Sequence, residues 1–180
     1  MTQSADNYIP TKVKRQFERQ AMTVWVIALV LVLFWVILIL SAPLFRSADV
    51  EHVSLQLYSF FSYICHQIPE RSLHFAGHQL GVCSRCFGIY FGILFGFIVY
   101  PFWRKIDDIE PMPRIWLFLS LIPIGVDWSL TAFGIWDNTH FSRFLTGTIL
   151  GAACAIYIVP SIVETVRNFT IRSLSQNRER

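Results

Sequence analysis

The feature that most constrains this chain is the run AMTVWVIALVLVLFWVILILSA at positions 21–42, in which 22 consecutive residues carry no charged side chain. At a rise of about 1.5 Å per residue, a helix of this length is long enough to cross about 30 Å of hydrocarbon. The composition agrees, because the chain is 54% hydrophobic, more than ordinary soluble domains, and only 15% of its residues are charged. We therefore expect a membrane protein whose first span lies at 21–42.

Three further apolar segments are candidate spans, and they lie at about 82–102, 115–136 and 144–163. Four spans of about 20 residues each take up nearly half of the chain and leave no segment large enough for a separate soluble domain. Residues 1–20 are polar and lack the cleavage site that follows a signal-peptide core, so they and residues 164–180 are expected to be cytoplasmic tails. The sequence predicts one all-α membrane domain over residues 1–180, with four transmembrane helices.

The segment VSLQLYSFFSYIC at 53–65 is apolar and aromatic but too short to cross a membrane without its polar flanks. We expect a helix that lies in or dips into the outer interface, where Tyr58 and Tyr63 can keep their hydroxyl groups in water. The alternative is that this segment crosses, in which case every later segment is inverted.

The basic residues distinguish the two sides of the membrane, because lysine and arginine are enriched on cytoplasmic segments. In the four-span arrangement, 11 of the 15 lie on one side: Lys12, Lys14, Arg15, Arg19, Arg104, Lys105, Arg114, Arg167, Arg172, Arg178 and Arg180. The opposite side carries Arg46, Arg71, Arg85 and Arg143. This bias predicts a multi-pass protein of the cytoplasmic membrane with both termini in the cytoplasm. The basic residues are explained as topology signals, so we expect no nucleic-acid partner.

Small residues at every fourth position predict close helix packing, because helices in lipid approach each other only where side chains are small. Two such glycine stripes occur, in the second and fourth spans, and they comprise Gly88, Gly92 and Gly96, and Gly147, Gly151 and Ala155. The stripes also offer a route to a homo-oligomer.

Arg85 and Arg143 lie within about one turn of these stripes, on the same helix faces and toward the outer surface. We expect both guanidinium groups to point into the bundle; the alternative is that they extend to the outer lipid headgroups. Asp127 is the only carboxylate inside a predicted span, and Pro123 one turn earlier predicts a kink beside it. Asp127 is either half of a buried ion pair, with Arg143 as the expected partner, or a functional proton acceptor, counter-ion or ligand.

The densest cluster of reactive side chains precedes the second span. Six cysteine and histidine residues fall within 22 positions there: Cys65, His66, His74, His78, Cys83 and Cys86. Two cysteines spaced as C-x-x-C can share a metal ion or form a redox-active disulfide. A zinc site needs two further ligands, and we expect Cys65 and His66, with His74 and His78 as alternates.

Two other interpretations of the cysteines stay open at the level of sequence. On an oxidising outer side, Cys65 and one member of the C-x-x-C pair can form a structural disulfide. Alternatively, Cys83 and Cys86 are redox-active thiols, because a helix N-terminus and the nearby Arg85 would lower a thiol pKa. Cys154 lies in the middle of the fourth span and is expected to be a small packing residue.

Four ordered blocks, CHQIPERS, VCSRCFGIYFG, PIGVDW and RFLTGTILG, resemble the prokaryotic membrane proteins catalogued as domain of unknown function 2085. The resemblance covers about 63–151, roughly half of the chain. The third block of that family often reads P-x-x-x-D-G, whereas here Trp128 follows Asp127. The resemblance implies no established activity, but it marks the following family motif positions in this sequence: Cys65, His66, Arg71, Cys83, Arg85, Cys86, Tyr90, Asp127, Arg143, Thr146 and Gly147.

These residues suggest an outer-leaflet site in which zinc is bound by the Cys/His cluster. The candidate catalytic residues are Asp127, Arg71, Arg85 and Arg143. The arginines would bind an anionic lipid or small-molecule substrate, because guanidinium groups match phosphate and carboxylate geometry. Asp127 would act as an acid, a base or an ion-pair partner. The alternatives are a quinone-linked thiol–disulfide oxidoreductase and a non-enzymatic structural or accessory protein.

Overall fold

The computed structural model describes residues 11–110 and 112–178. Within these residues, the helices and strands follow in this order: α1 (Thr11–Ser47), α2 (Glu51–Ser62), a 3₁₀ turn (Pro69–Arg71), β1 (His74–Phe75), β2 (His78–Gln79), α3 (Ser84–Trp103), α4 (Ile115–Ala132) and α5 (His140–Arg178). The two short strands pair in an antiparallel hairpin.

Four of these helices, α1, α3, α4 and α5, are long and apolar enough to cross a membrane. The prediction of an all-α protein with four membrane-spanning helices is therefore confirmed. Helix α1 is antiparallel to α5, since Phe17 near its start contacts Arg167 near the end of α5. We call the end of the bundle that holds this contact the termini end. The opposite end, where α3 and α5 begin, is the cysteine end.

The helices differ in length from the predicted spans, because a helix can continue past the apolar segment or end early at a capping residue. Helices α1 and α5 extend well beyond 21–42 and 144–163, so much of the expected tails is helical; residues 1–10 and 179–180 lie outside the described part. Helix α4 stops at Ala132 rather than 136. Gly134 adopts a φ of 68°, and the next amide, of Ile135, donates to the Leu130 carbonyl at 3.0 Å. This left-handed glycine cap ends the helix.

Helix α2 covers most of the short aromatic segment and folds back along α1. The Ser54 hydroxyl donates to the Ala42 carbonyl at 2.9 Å, near the start of α2. Near its end, the Phe61 ring meets the Trp35 ring edge to face, with 5.7 Å between centroids. With 12 residues, α2 rises only about 18 Å, so it is too short to cross. It instead dips from the cysteine end toward the depth of Trp35.

The two glycine stripes face each other within one chain, because α3 and α5 pack side by side in parallel. A Cβ atom added at Gly92 would lie 2.2 Å from the Thr148 carbonyl oxygen, and one at Gly151 would lie 2.0 Å from that of Ile89. Backbones this close leave no room for any side chain at either position. The expected use of these stripes in a homo-oligomer is therefore wrong, since both are already occupied inside the chain.

A proline in α3 determines how α1 attaches to it. Pro101 has no amide hydrogen, so the Phe97 carbonyl four residues earlier lacks its helical donor. The Trp25 indole Nε1 of α1 donates to that carbonyl at 3.1 Å. In lipid no water can satisfy such a group, so the indole replaces the missing amide.

Candidate functional site

Three cysteine side chains converge at the cysteine end. Cys65 follows the end of α2, Cys83 is the residue that precedes α3, and Cys86 lies in the first turn of α3. Their sulfur atoms all lie within 4.8 Å of one another, and no disulfide joins them. Cys65 is only 5% exposed. The sequence-predicted C-x-x-C pair and Cys65 are thus brought into one cluster, which we call the thiol cluster.

Gln67 holds together the two chain segments that carry these thiols. Its side-chain Nε2 donates to the carbonyls of Tyr58 in α2 and of Gly81, two residues before Cys83, at 2.8 Å each. Its own carbonyl accepts a hydrogen bond from Gln79 Nε2 at 3.2 Å. Gln67 also has a φ of 49°, a conformation uncommon for residues other than glycine. The loop is therefore fixed in a strained conformation by polar contacts to both sides.

The electrostatics of the cluster favour a negative charge on sulfur. The Cys83 backbone amide donates to Cys65 Sγ at 3.2 Å. Hydrogen bonds from the thiols of Cys83 and Cys86 hold the pKa of Cys65 well below its ordinary value, although burial acts in the opposite direction. The N-terminus of α3 also stabilises negative charge at this position. Cys65 is accordingly the sulfur best prepared to be a thiolate.

A cavity of about 300 Å³ opens beside the cluster. Its walls include the three thiols together with His66 and Arg71, both of which are exposed residues. His66 lies at the cavity but outside the group of ligand atoms that could share one ion, which among the described residues consists of the three sulfurs. His74 and His78 belong to the β hairpin and also lie outside that group.

Asp127 lies in a polar chain that links α3, α4 and α5. Its carboxylate accepts a hydrogen bond from Arg85, and the two side chains are 10% and 24% exposed. The same oxygen accepts a hydrogen bond from Asn138 Nδ2 at 3.0 Å. Asn138 Oδ1 in turn accepts from Arg143 Nε at 2.7 Å. The ion-pair partner of Asp127 is thus Arg85, and the expectation of a direct pair with Arg143 is wrong, because Asn138 stands between them.

The polar chain and the thiol cluster adjoin each other. Arg143 interacts electrostatically with Arg71, Arg85, Asp127 and Cys83. Ser84 lies between Cys83 and Arg85 in the sequence and is buried. Its hydroxyl group lies 3.0 Å from Nδ1 of His140, at the start of α5. The four candidate catalytic residues therefore converge at the end of the bundle that also carries the sulfurs. Their catalytic role stays a prediction.

Two residues of this region were missed by sequence reasoning, Gln67 and Asn138. Both side chains form hydrogen bonds with residues that are distant in the sequence. Asn138 lies in a segment whose sequence is that of an ordinary polar turn. Gln67 follows directly on Cys65 and His66, so its position beside the reactive pair was the available signal.

Comparison with known proteins identifies one family and two relatives. The family described as "Predicted membrane protein (DUF2085)" matches residues 65–157, from the first thiol to the middle of α5. An uncharacterized protein of Methanocaldococcus jannaschii is 38% identical over 147 residues, which cover 79% of this chain and 94% of that protein. An uncharacterized protein of Methanothermobacter thermautotrophicus is 36% identical over 96 residues, or 53% and 85% of the two chains. No solved structure matches. The chain thus belongs to the family of membrane proteins catalogued as domain of unknown function 2085.

Proposed function

We propose that the thiol cluster binds a thiophilic metal ion, zinc, on the outer side of the cytoplasmic membrane, and that both termini lie in the cytoplasm. The observation that carries this proposal is the mutual approach of three sulfurs within 4.8 Å. Two sulfurs bound to one tetrahedral zinc ion lie about 3.8 Å apart, given a Zn–S distance of about 2.3 Å. Small side-chain rotations suffice to reach this geometry. The orientation rests on the positive-inside rule.

The fourth ligand position decides whether such a site is structural or reactive. Three protein ligands leave one position for water or substrate, whereas a fourth closes the site. The adjoining cavity contains His66, the expected fourth ligand, which is exposed and outside the sulfur group. The described geometry supports three sulfur ligands and a position that faces the cavity, where His66 and substrate would compete.

The surrounding charges favour an anionic substrate, a lipid headgroup or a small molecule. Arg85 is paired with Asp127, whereas Arg71 lines the cavity and Arg143 lies within electrostatic range of Arg71, Arg85 and Asp127, so three positive charges face one carboxylate in this region. The Nε of Arg85 is buried and has no hydrogen-bond partner among the described residues, so it is a donor without an acceptor. Phosphate and carboxylate oxygens are suitable acceptors. In this proposal Asp127 orients Arg85 and supplies acid–base or ion-pair function.

The test is metal analysis combined with thiol counting on detergent-purified protein prepared without an affinity-column metal. We expect about one zinc per chain, with Cys65, Cys83 and Cys86 protected from alkylation until a chelator is added. Cys154, in the middle of α5, serves as the internal control, because its reactivity should not depend on the chelator. Absence of metal with two cluster cysteines joined in a disulfide would contradict the zinc proposal.

A second candidate function is thiol–disulfide exchange coupled to a quinone, and a lateral groove favours it. Two cluster thiols would form a disulfide and release two electrons and two protons, which reduce one quinone to quinol. A groove of about 390 Å³ in the membrane layer is lined by Trp35 and Tyr90, which pack against the thiol cluster. Quinone-dependent formation of a disulfide between cluster cysteines would support this function, and a metal that blocks it would favour the first.

A further inference from the structure

A separate polar cavity lies at the termini end, at the opposite end of the bundle from the thiol cluster. Its volume is about 350 Å³, and it lies between the start of α1 and the final third of α5. Lys14 and Arg167 line it from the two helices, and Asp107 lines it from the loop after α3. Nothing in the proposed function uses these residues.

An adjoining cavity of about 550 Å³ adds two further cations. It shares Gln20, Val24 and Val166 with the first cavity and is also lined by Arg15 and Arg19. Among the residues that line the two cavities, four side chains are basic and one, that of Asp107, is acidic. The excess positive charge selects an anionic occupant.

Two side chains, those of Arg167 and Gln20, add specific binding features to the positive charge of this region. The Arg167 guanidinium lies 4.8 Å from the centroid of the Phe17 ring, a cation–π contact that fixes one cation at the wall. Gln20 Oε1 is buried and accepts no hydrogen bond from the part of the chain that the structure describes. An occupant therefore needs a hydroxyl or amine donor as well as an anionic group, since a buried acceptor left unpaired is costly.

The depth of the region suits an amphiphile. Lys14 precedes Val24 by ten residues on α1, so the two ends of the lining are about 15 Å apart along the helix axis. The apolar end continues into the span at 21–42, whereas the basic end lies outside it. The cavity thus extends from the hydrocarbon edge to the headgroup layer.

We propose that this region binds one anionic phospholipid of the phosphatidylglycerol class. The phosphodiester would lie between Lys14 and Arg167, and the acyl chains would follow Val24 and Val166 into the bilayer. Gln20 lies about 9 Å deeper than Lys14 along α1, so the headgroup glycerol would fold back along the helix for a hydroxyl group to donate to Gln20 Oε1. Basic pockets between helices at a membrane surface are a general means of holding such headgroups. The site is independent of the thiol cluster and of its proposed metal.

The test is native mass spectrometry of the full chain released from nanodiscs of equimolar phosphatidylglycerol and phosphatidylcholine. We expect retained phosphatidylglycerol on the unmodified chain and a loss of about 25-fold in the double variant Lys14→Gln, Arg167→Gln, since each cation near an anionic lipid contributes about fivefold. Arg167→Lys keeps the charge and should retain most of the lipid. Arg114→Gln removes a cation from the same end of the bundle without lining either cavity, so it should retain the lipid fully.

Three outcomes would overturn the proposal. Equal retention of phosphatidylcholine would show that charge does not select the occupant. An equal loss in Arg114→Gln would show a general surface effect instead of a site. Soluble glycerol phosphate that raises the melting temperature while the lipid does not would assign the cavity to a free phosphate compound. Circular dichroism of each variant identifies any loss that comes from unfolding.

Discussion

The Asp127 carboxylate of α4 accepts hydrogen bonds on one oxygen from both Arg85 of α3 and Asn138, the residue that also binds Arg143. One acid thereby connects three membrane-spanning helices beside the thiol cluster. The Asp127 and Arg85 side chains are only 10% and 24% exposed, so little water reaches them and each depends on its protein partners for hydrogen bonds. The consequences for stability can be measured.

The ion pair of Arg85 and Asp127 should show strong coupling in a double-mutant cycle. Arg85→Gln or Asp127→Asn alone leaves a mostly buried charge without its partner, which costs about 3–5 kcal/mol. The double variant should cost less than the sum. Denaturant unfolding in detergent micelles measures all four proteins. The pair of Asp127→Asn and Arg143→Gln is the comparison, with smaller coupling expected because Asn138 separates the two. Additive effects for Arg85 and Asp127 would contradict the pairing.

Asn138 should be more important than its place in a turn suggests. Asn138→Leu keeps the number and branching of the side-chain heavy atoms but removes the amide that bridges Asp127 and Arg143, with an expected loss of about 1–3 kcal/mol of unfolding free energy. Asn168→Leu, at an exposed position of α5, is the matched control and should change stability little. Equal effects at the two positions would rule out the bridge.

The facing glycines of α3 and α5 should not tolerate even a methyl group. Gly92→Ala and Gly151→Ala each force the helices apart, because the added atom meets a backbone carbonyl, and overpacking of this kind costs about 1–3 kcal/mol. Gly125→Ala in α4 is the control, since a Cβ there meets nothing within 4 Å. That variant should be neutral or slightly stabilising. Thermal melting in detergent checks the three, and a tolerated Gly151→Ala would contradict the close contact.

The hydrogen bond of the Trp25 indole should contribute more to stability when residue 101 is proline than when it is alanine. Trp25→Phe leaves the Phe97 carbonyl without a donor, at a cost of about 1–2 kcal/mol. In the Pro101→Ala background the helix supplies its own amide, so the same substitution should cost less. Unfolding measurements on the two backgrounds give the difference. The exposed Trp128→Phe serves as a control, and an unchanged cost in the alanine background would dismiss the explanation.

Gln67 should control metal binding without being a ligand. Gln67→Ala releases the loop between Cys65 and Cys83, so zinc affinity should fall about 10- to 100-fold with all three thiols intact. Competition with a chromogenic chelator measures the affinity. Gln56→Ala, at an exposed position of α2, should leave it unchanged. If Gln67→Ala binds zinc as tightly as the unmodified chain, the hydrogen bonds of the Gln67 side chain have no role in positioning the sulfurs.

The four spans and the thiol motif were predictable because each depends on properties of short segments. Length and hydrophobicity alone decide whether a run such as 21–42 can cross hydrocarbon. The spacing of Cys83 and Cys86 is local as well. The bounds were less accurate where a single residue intervenes, as Gly134 does at the end of α4.

What the sequence by itself determined was therefore the membrane class, the number of spans and the set of reactive residues. Only the tertiary structure decided which of them meet: that Arg85 and not Arg143 pairs with Asp127, that the thiols group without His74 and His78, and that the glycine stripes face each other within the chain. Hydrophobicity determines that each helix enters the bilayer, but it does not determine which helix faces pack against each other. That choice depends on close backbone approach and on polar groups that, away from water, must find each other.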